Sequence, residues 1–311
     1  MPWSPILTPD DYLSPGKVLG GKWKIISQLG KGGFGTVYKA VSIDKKGPEK
    51  EAAVKVEKIK KDHESMLKME VAIMKIFNKQ QPRALHACQY FDKGETSSIR
   101  YIVMELLGFS LSDLRRSRLN NRFTESTAVR LGVQILEAIE SLHRIGFIHR
   151  DIKPSNHAMG RDDKKRVVFI LDFGLARQFV TRAGELRVPR RRAGFRGTVR
   201  YASINAHARK ELGRHDDLWS LLYVLVEFHL GELPWYGITD KAKVGKIKKN
   251  TVADQLLRGM APEFHSFINE LQGLQYGDTP NYAWFHQQFK AIMIRKKYRE
   301  SDLYDWEPTK K

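Results

Sequence analysis

From Trp23 onward the chain runs in short stretches of alternating apolar and polar positions. Residues 23–29 and 36–43 are rich in β-branched and apolar side chains with glycines between them, which predicts two strands joined by a glycine-rich turn. A charged turn over 44–50 leads to a third strand at 51–56, and 100–105 returns to strand character. Between them the period changes. Over 66–77, Met66, Met69, Ile73 and Ile76 or Phe77 recur on one helical face. After Gly108 helical spacing takes over. Thr124 reads as an N-cap, followed by Glu125, for a helix carrying Ala128, Leu131, Ile135, Ile139 and Leu142 that stops near Arg144-Ile145-Gly146. Further helices are expected over 218–230, 252–258, 263–271 and 282–295. Residues 1–21 hold no period and read as an extended or loosely packed arm, and 297–311 as a tail. The pattern predicts an α+β chain with a small β-rich N-lobe holding one main helix (22–104), a connection at 105–108, and a larger, mainly helical C-lobe (109–296).

Composition adjusts this picture little. An apolar content of 41% with 29% charged residues marks a globular chain, and 311 residues favour two packed lobes over one core. No apolar run approaches the ~18 residues of a membrane span, and Met1-Pro2-Trp3-Ser4 does not open a signal peptide. Cys88, the single cysteine, reads as a small buried hydrophobe in a reducing compartment, the cytoplasm or the nucleus. A monomer is expected. The formal charge of +19 points to acidic partners: nucleic acid, anionic membrane, or acidic and phosphorylated polypeptide. Without zinc-ligand spacing or an RNA-binding signature, nucleic acid is the weaker choice. The lysines of 241–249 read as a solvated face or loop.

The chemistry concentrates in His149-Arg150-Asp151-Ile152-Lys153-Pro154-Ser155-Asn156, followed by Asp172-Phe173-Gly174. Phosphoryl transfer from ATP needs a carboxylate at the attacking hydroxyl, a metal-binding amide and a second metal-binding carboxylate. Asp151 fits the first role; Asn156 and Asp172 fit the others, holding Mg2+. Lys153 supplies a cation beside Asp151, and Thr198 is placed to hydrogen-bond both. Gly30-Lys31-Gly32-Gly33-Phe34-Gly35-Thr36-Val37 has the spacing of a glycine loop over phosphates, and it continues as a strand where a dinucleotide fold would open a helix. Lys55, after Ala53, suits the α- and β-phosphates and needs a carboxylate to hold it. Glu70 is preferred for this, with Glu64 second. Met104, Glu105 and Leu107 line the place for an adenine. Arg190, Arg191, Arg192, Arg196 and Arg200 crowd one segment and suit phosphate or carboxylate recognition, or a solvated basic loop. Asp217 is placed to accept backbone N–H groups of the catalytic loop. Two other readings fit parts of the chain: a nucleotide-binding scaffold without turnover, and an anion-binding module that works by charge.

Together these motifs resemble the eukaryotic protein kinases. Ser203-Ile204-Asn205, where most members carry Ala-Pro-Glu, resembles the casein kinase I superfamily. Met159-Gly160, residues 193–203 and residues 213–220 are most similar to its tau-tubulin kinase branch. The resemblance runs from about residue 23 to 294. It implies the bilobal kinase fold, ATP and Mg2+ as cofactors, and transfer to Ser or Thr of acidic or pre-phosphorylated proteins, microtubule-associated ones among them. It also implies activity without phosphorylation of the segment after Asp172, where Thr181 and Thr198 are the only hydroxyl side chains before Arg200. One departure stands out: His157 occupies a position that this branch fills with a bulky apolar residue. Lower activity, a pH-dependent charge and a tolerated buried imidazole are the three readings of it.

Overall fold

In the computed structural model, which describes residues 13–33, 35–43, 49–59, 65–82, 84–181 and 183–308, the period-two runs form a six-stranded antiparallel sheet. Its strands are β1 (Val18–Leu19), β2 (Trp23–Gly32), β3 (Gly35–Ser42), β4 (Glu51–Lys58), β5 (Tyr90–Glu95) and β6 (Ile99–Glu105). Their spatial order is β1-β2-β3-β4-β6-β5. Trp23, Ile25, Tyr38, Ala40, Val54, Val56 and Val103 pack as one apolar cluster with Leu13 and Leu19. Hence the expected loose arm is corrected in part: Leu13 and Leu19 anchor it in the core while residues 14–18 stay exposed, and residues 1–12 lie outside the described residues. Helix α1 (Met66–Lys79) also presents another face than expected. Leu67, Val71, Ile73, Met74 and Phe77 are buried with Glu70, while Ile76 is exposed. The helix is rotated so that Glu70 points inward with the 67/71/74 stripe.

Two compact units result. One takes the described residues up to 82 with Cys88–Leu107; the other takes Ala84–Ala87 and the chain from Gly108. They are the β-rich and helical lobes that the sequence pattern predicts. Ala84–Ala87 belongs to the helical unit because His86 is held there: its Nδ1 lies 2.7 Å from the Val168 carbonyl and its Nε2 2.9 Å from Glu137, while Ala87 bridges Ile170.

The helical unit contains α2 (Leu111–Arg116), α3 (Glu125–Arg144), α4 (Ile204–His207), α5 (Arg214–Leu230), α6 (Lys241–Asn250), α7 (Ala253–Leu256), α8 (Glu263–Gly273) and α9 (Tyr282–Lys296). Between α3 and α4 the chain makes the short strands β7 (Phe147–Ile148), β8 (His157–Met159), β9 (Val168–Ile170) and β10 (Arg177–Gln178). As expected, Thr124 caps α3 by accepting the Thr127 N–H, and Gly146 leaves it at φ +87°. The tail is ordered onto α3: Asp305 accepts from the Thr124 N–H and from both Thr124 and Thr127 hydroxyls, and Arg130 and Arg166 stack on Tyr304. Among the described residues no helix is long and apolar enough to cross a membrane.

The lysine run departs from its reading as a solvated face. Residues 241–250 form α6, capped by Asp240, and Val244 and Lys248, four apart, are buried. Burial pushes the Lys248 ammonium down to about 6. In the unfolded chain an ordinary lysine titrates near 10.4, so between about pH 6 and 10 unfolding takes up one proton here and stability rises with pH. Urea titrations from pH 6.5 to 9 should show Lys248→Met losing a rise of up to about 1.4 kcal/mol per pH unit. Parallel curves for the two proteins would show that Lys248 is charged in the fold.

Candidate active site

The phosphate-loop candidates sit on one hairpin. Gly30, Lys31 and Gly32 end β2, Gly33 makes the turn, and Gly35, Thr36 and Val37 open β3, with Gly30 opposite Val37 and Gly32 opposite Gly35. Phe34 lies outside the described residues, as does Glu64. Gly35 has φ +139°, and a Cβ there would lie 2.2 Å from the Val56 carbonyl oxygen, so only glycine fits. On β4, Ala53 is buried and pairs with Met104, while Lys55 pairs with Val37 and Ile102. The Lys55 Nζ donates to Glu70 Oε2 at 2.7 Å with both side chains buried. This unites strand and helix through one ion pair, the pairing the sequence favoured. Met104 is buried, and Glu105 and Leu107 are half-buried at the end of β6 and beyond it. The Glu105 N–H is spent on Gln89 O and its carboxylate on Gln89 N, and its carbonyl accepts the weak Cys88 thiol at 3.7 Å.

In the helical unit the catalytic-loop candidates hang from Asp217 of α5. Its buried carboxylate accepts the backbone N–H groups of His149 at 2.7 Å and Arg150 at 2.8 Å, and meets His143 Nε2 at 2.9 Å. Burial works to raise this carboxyl, but the His143 bond, the nearby imidazoles and the backbone donor outweigh it and hold it below the usual range. Arg150 takes φ +66° and Asp172 φ +64°, left-handed conformations that cost a non-glycine residue about 1–2 kcal/mol and gather at functional sites.

Asp151 is thereby presented to three partners. Its Oδ1 accepts the Thr198 N–H at 2.8 Å and hydroxyl at 2.7 Å; its Oδ2 accepts Lys153 Nζ at 2.6 Å and Asn156 Nδ2 at 3.3 Å. Lys153 also reaches the Thr198 hydroxyl at 3.1 Å. Gly197, at φ +98°, makes this approach feasible, since a Cβ would stand 2.5 Å from the Arg150 carbonyl oxygen. The ladder of β8 with β9 pairs His157 with Ile170, and Leu171 N donates to Asn156 O, which brings Asp172 beside Asn156. His157 is the buried neutral imidazole among its three readings. Burial pushes it down to about 3, and Nδ1 bonds the Lys153 carbonyl at 2.9 Å.

The arginines divide. Arg200 turns inward to Glu227, at 3.0 Å, a fully buried carboxylate that also accepts from Tyr201 OH and faces Arg115. Arg190 pairs with Glu211 through Nε and NH2, and Arg177 meets the same carboxylate at 3.2 Å. Arg191, Arg192 and Arg196 are exposed. The missed member is Arg150. Burial, together with repulsion from Arg177, Arg190 and Arg196, pushes its guanidinium down to about 10 against the pull of Glu211. Arg177 and Arg190 thus share the Glu211 carboxylate, with Arg150 within its field and repelled by Arg196 as well, an arrangement no spacing along the sequence shows.

Residues 23–276 match the family model described as "Protein kinase domain", and the chain belongs to that family. It is 39% identical over 293 residues, 94% of its length, to a probable serine/threonine-protein kinase of Dictyostelium discoideum. It is 36% identical over 309 residues, 97% of its length, to a Caenorhabditis elegans protein provisionally named a serine/threonine-protein kinase. The chain spans 58% of the first relative's length and 86% of the second's.

Proposed function

We propose that the chain is a serine/threonine protein kinase that moves the γ-phosphoryl group of ATP to Ser or Thr of acidic or already phosphorylated proteins. The observation that carries this reading is Asp151, fixed by Thr198 and Lys153 with its carboxylate facing the segment that would meet an acceptor hydroxyl. In the transfer the acceptor oxygen forms the new bond to the γ-phosphorus, the bond to ADP breaks, and Asp151 takes the hydroxyl proton. Lys153, beside both Asp151 and Thr198, steadies the negative charge that develops.

The donor set fits magnesium and nucleotide. Asn156 spends its Nδ2 on Asp151, at 2.9 Å from the carbonyl, so its Oδ1 would be the hard oxygen offered to Mg2+, and Asp172 would add a carboxylate. Magnesium, when bound, neutralises phosphate charge. Gly30 and Gly33 have no atom within 4 Å of a Cβ position, so room for side chains exists that packing leaves unused, as suits close backbone approach by a phosphate loop. Lys55, held by Glu70, would meet the α- and β-phosphates, and the Glu105 carbonyl and Leu107 the adenine edge.

The casein kinase I branch, and within it the tau-tubulin kinase group, is supported by the task that Ser203-Ile204-Asn205 performs. Ser203 caps α4, and Asn205 bonds Asp216 at 3.0 Å and His215 at 3.1 Å at the start of α5. The excess of guanidinium over carboxylate around Arg150 supports anionic substrates, microtubule-associated proteins among them, met in the cytoplasm or nucleus by a monomeric enzyme.

Asp151→Asn should lower phosphotransfer to a casein-like or phosphopeptide substrate by about 10²–10⁴-fold while the thermal shift produced by MgATP persists. Unchanged turnover would refute the assignment. Arg196→Ala should weaken kcat/KM for a primed peptide about tenfold more than for its unprimed form. Arg200→Ala, which takes one guanidinium from the buried Glu227 and leaves it Arg115 and Tyr201, should lower both alike together with Tm. Equal losses in Arg196→Ala would remove the phosphate-reading role.

A further inference from the structure

The turn that brings Thr198 to Asp151 runs from Thr198 to Ala202, where the Tyr201 and Ala202 N–H groups both close on the Thr198 carbonyl, at 3.0 and 2.9 Å. The turn's own bonds leave its other carbonyls unpaired within it, and any that is buried needs a donor from elsewhere. Two side chains from outside the turn supply them. Lys248 of α6 donates to Val199 O at 2.8 Å and to Ala202 O at 2.6 Å. Trp235, from the loop after α5, donates its indole N–H to Arg200 O at 2.8 Å. Lys248 and Trp235 are one unit themselves: Nζ sits 4.9 Å from the rings of both Trp235 and Tyr223, and all three side chains are buried. A lysine is the residue for this place, because its apolar stem crosses the packed layer and its head carries several donors.

We propose that Lys248, with Trp235, is a positioning residue of the phosphoryl-transfer site, holding the 198–202 turn from behind so that Thr198 stays on Asp151. The inference rests on the kinase reading for its catalytic consequence, and on the geometry alone for its mechanical one. Lys248 touches neither Asp151 nor Lys153 in any hydrogen bond among the described residues, and it acts through the turn. Titratable and charged groups that face it or lie beside it are Tyr223 on α5, His207 at the end of α4, and Arg200 and Glu227 at the far side of the turn. Lys241 lies at the start of α6, where its carbonyl meets His207.

A double-mutant cycle on the full chain separates positioning from simple packing. Lys248→Met keeps the stem and removes the donors. It should lower kcat/KM for a peptide substrate about tenfold and leave KM for ATP within about twofold. Amide exchange at Tyr201 and Ala202 should quicken about tenfold. In a Thr198→Ala background, which removes the hydroxyl contact and keeps the backbone N–H bond to Asp151, the same change should cost about threefold, because less of the contact through which it acts remains. An equal loss in both backgrounds, or unaltered exchange at Tyr201 and Ala202, overturns the proposal. If the wild-type chain transfers no phosphate, the kinase reading falls while the exchange arm still decides the mechanical claim. If Lys248→Met lacks a cooperative melt, Trp235→Phe keeps a ring and loses only the bond to Arg200. It should quicken the same two amides and lower peptide kcat/KM, and wild-type values for both overturn the proposal.

Discussion

One buried carboxylate sets the geometry of the helical unit's site. Asp217 lies on a helix that is apolar nearly all round, so its position is fixed by the core. From there it accepts two successive backbone N–H groups and faces an imidazole. A carboxylate stripped of water is stable only when such donors surround it, and the requirement runs both ways. The loop must bend to deliver the N–H of Arg150, and it does so by taking φ +66° there. That bend presents Asp151 to Thr198 and Lys153, and His143 is held in its turn by Tyr282 at 2.6 Å.

Charge is arranged on a second principle. The chain carries 54 Lys and Arg against 35 Asp and Glu, and two of the buried carboxylates are each shared by two guanidiniums. Glu227 serves Arg115 and Arg200, and Glu211 serves Arg177 and Arg190. Burial tends to raise the Glu211 carboxyl, but the Arg190 bonds and the neighbouring guanidiniums outweigh it and hold it low. Arg150, Arg177, Arg190 and Arg196 gathered around Glu211 leave a positive surplus beside the candidate catalytic loop, and this local surplus, more than the overall charge, is what the proposed preference for anionic substrates rests on.

The sequence disclosed most of the site because its chemistry is local. Asp151, Lys153 and Asn156 are neighbours along the chain, and the Lys55–Glu70 pair follows from a strand and the helix after it. Long periodic elements were legible too: α3, α5, α8 and α9 lie where the spacing placed them, within a few residues. What the sequence hid depends on distant parts meeting. Strand β5 escaped notice because 90–95 is half-buried and polar, as an edge strand can be. The basic cluster draws Arg150 and Arg177 from separate segments, and Arg200 leaves it for a carboxylate on α5. Within 241–249, only the Val244/Lys248 spacing marks one lysine as inward, among neighbours of the same type. The buried face of α1 was misread because Leu67 and Val71 follow the position of Glu70, which the sheet dictates.

Asp217 holds the proposed phosphoryl-transfer loop in register from the core. Asp217→Asn tests it most directly: the volume is kept, but an N–H2 now faces groups that all donate. Measured as phosphate transfer from MgATP to a peptide by folded protein, the account predicts a loss of at least about a hundredfold in kcat, since misplacement of about 1 Å costs that much, with the thermal shift by MgATP retained. Wild-type turnover in Asp217→Asn would contradict it.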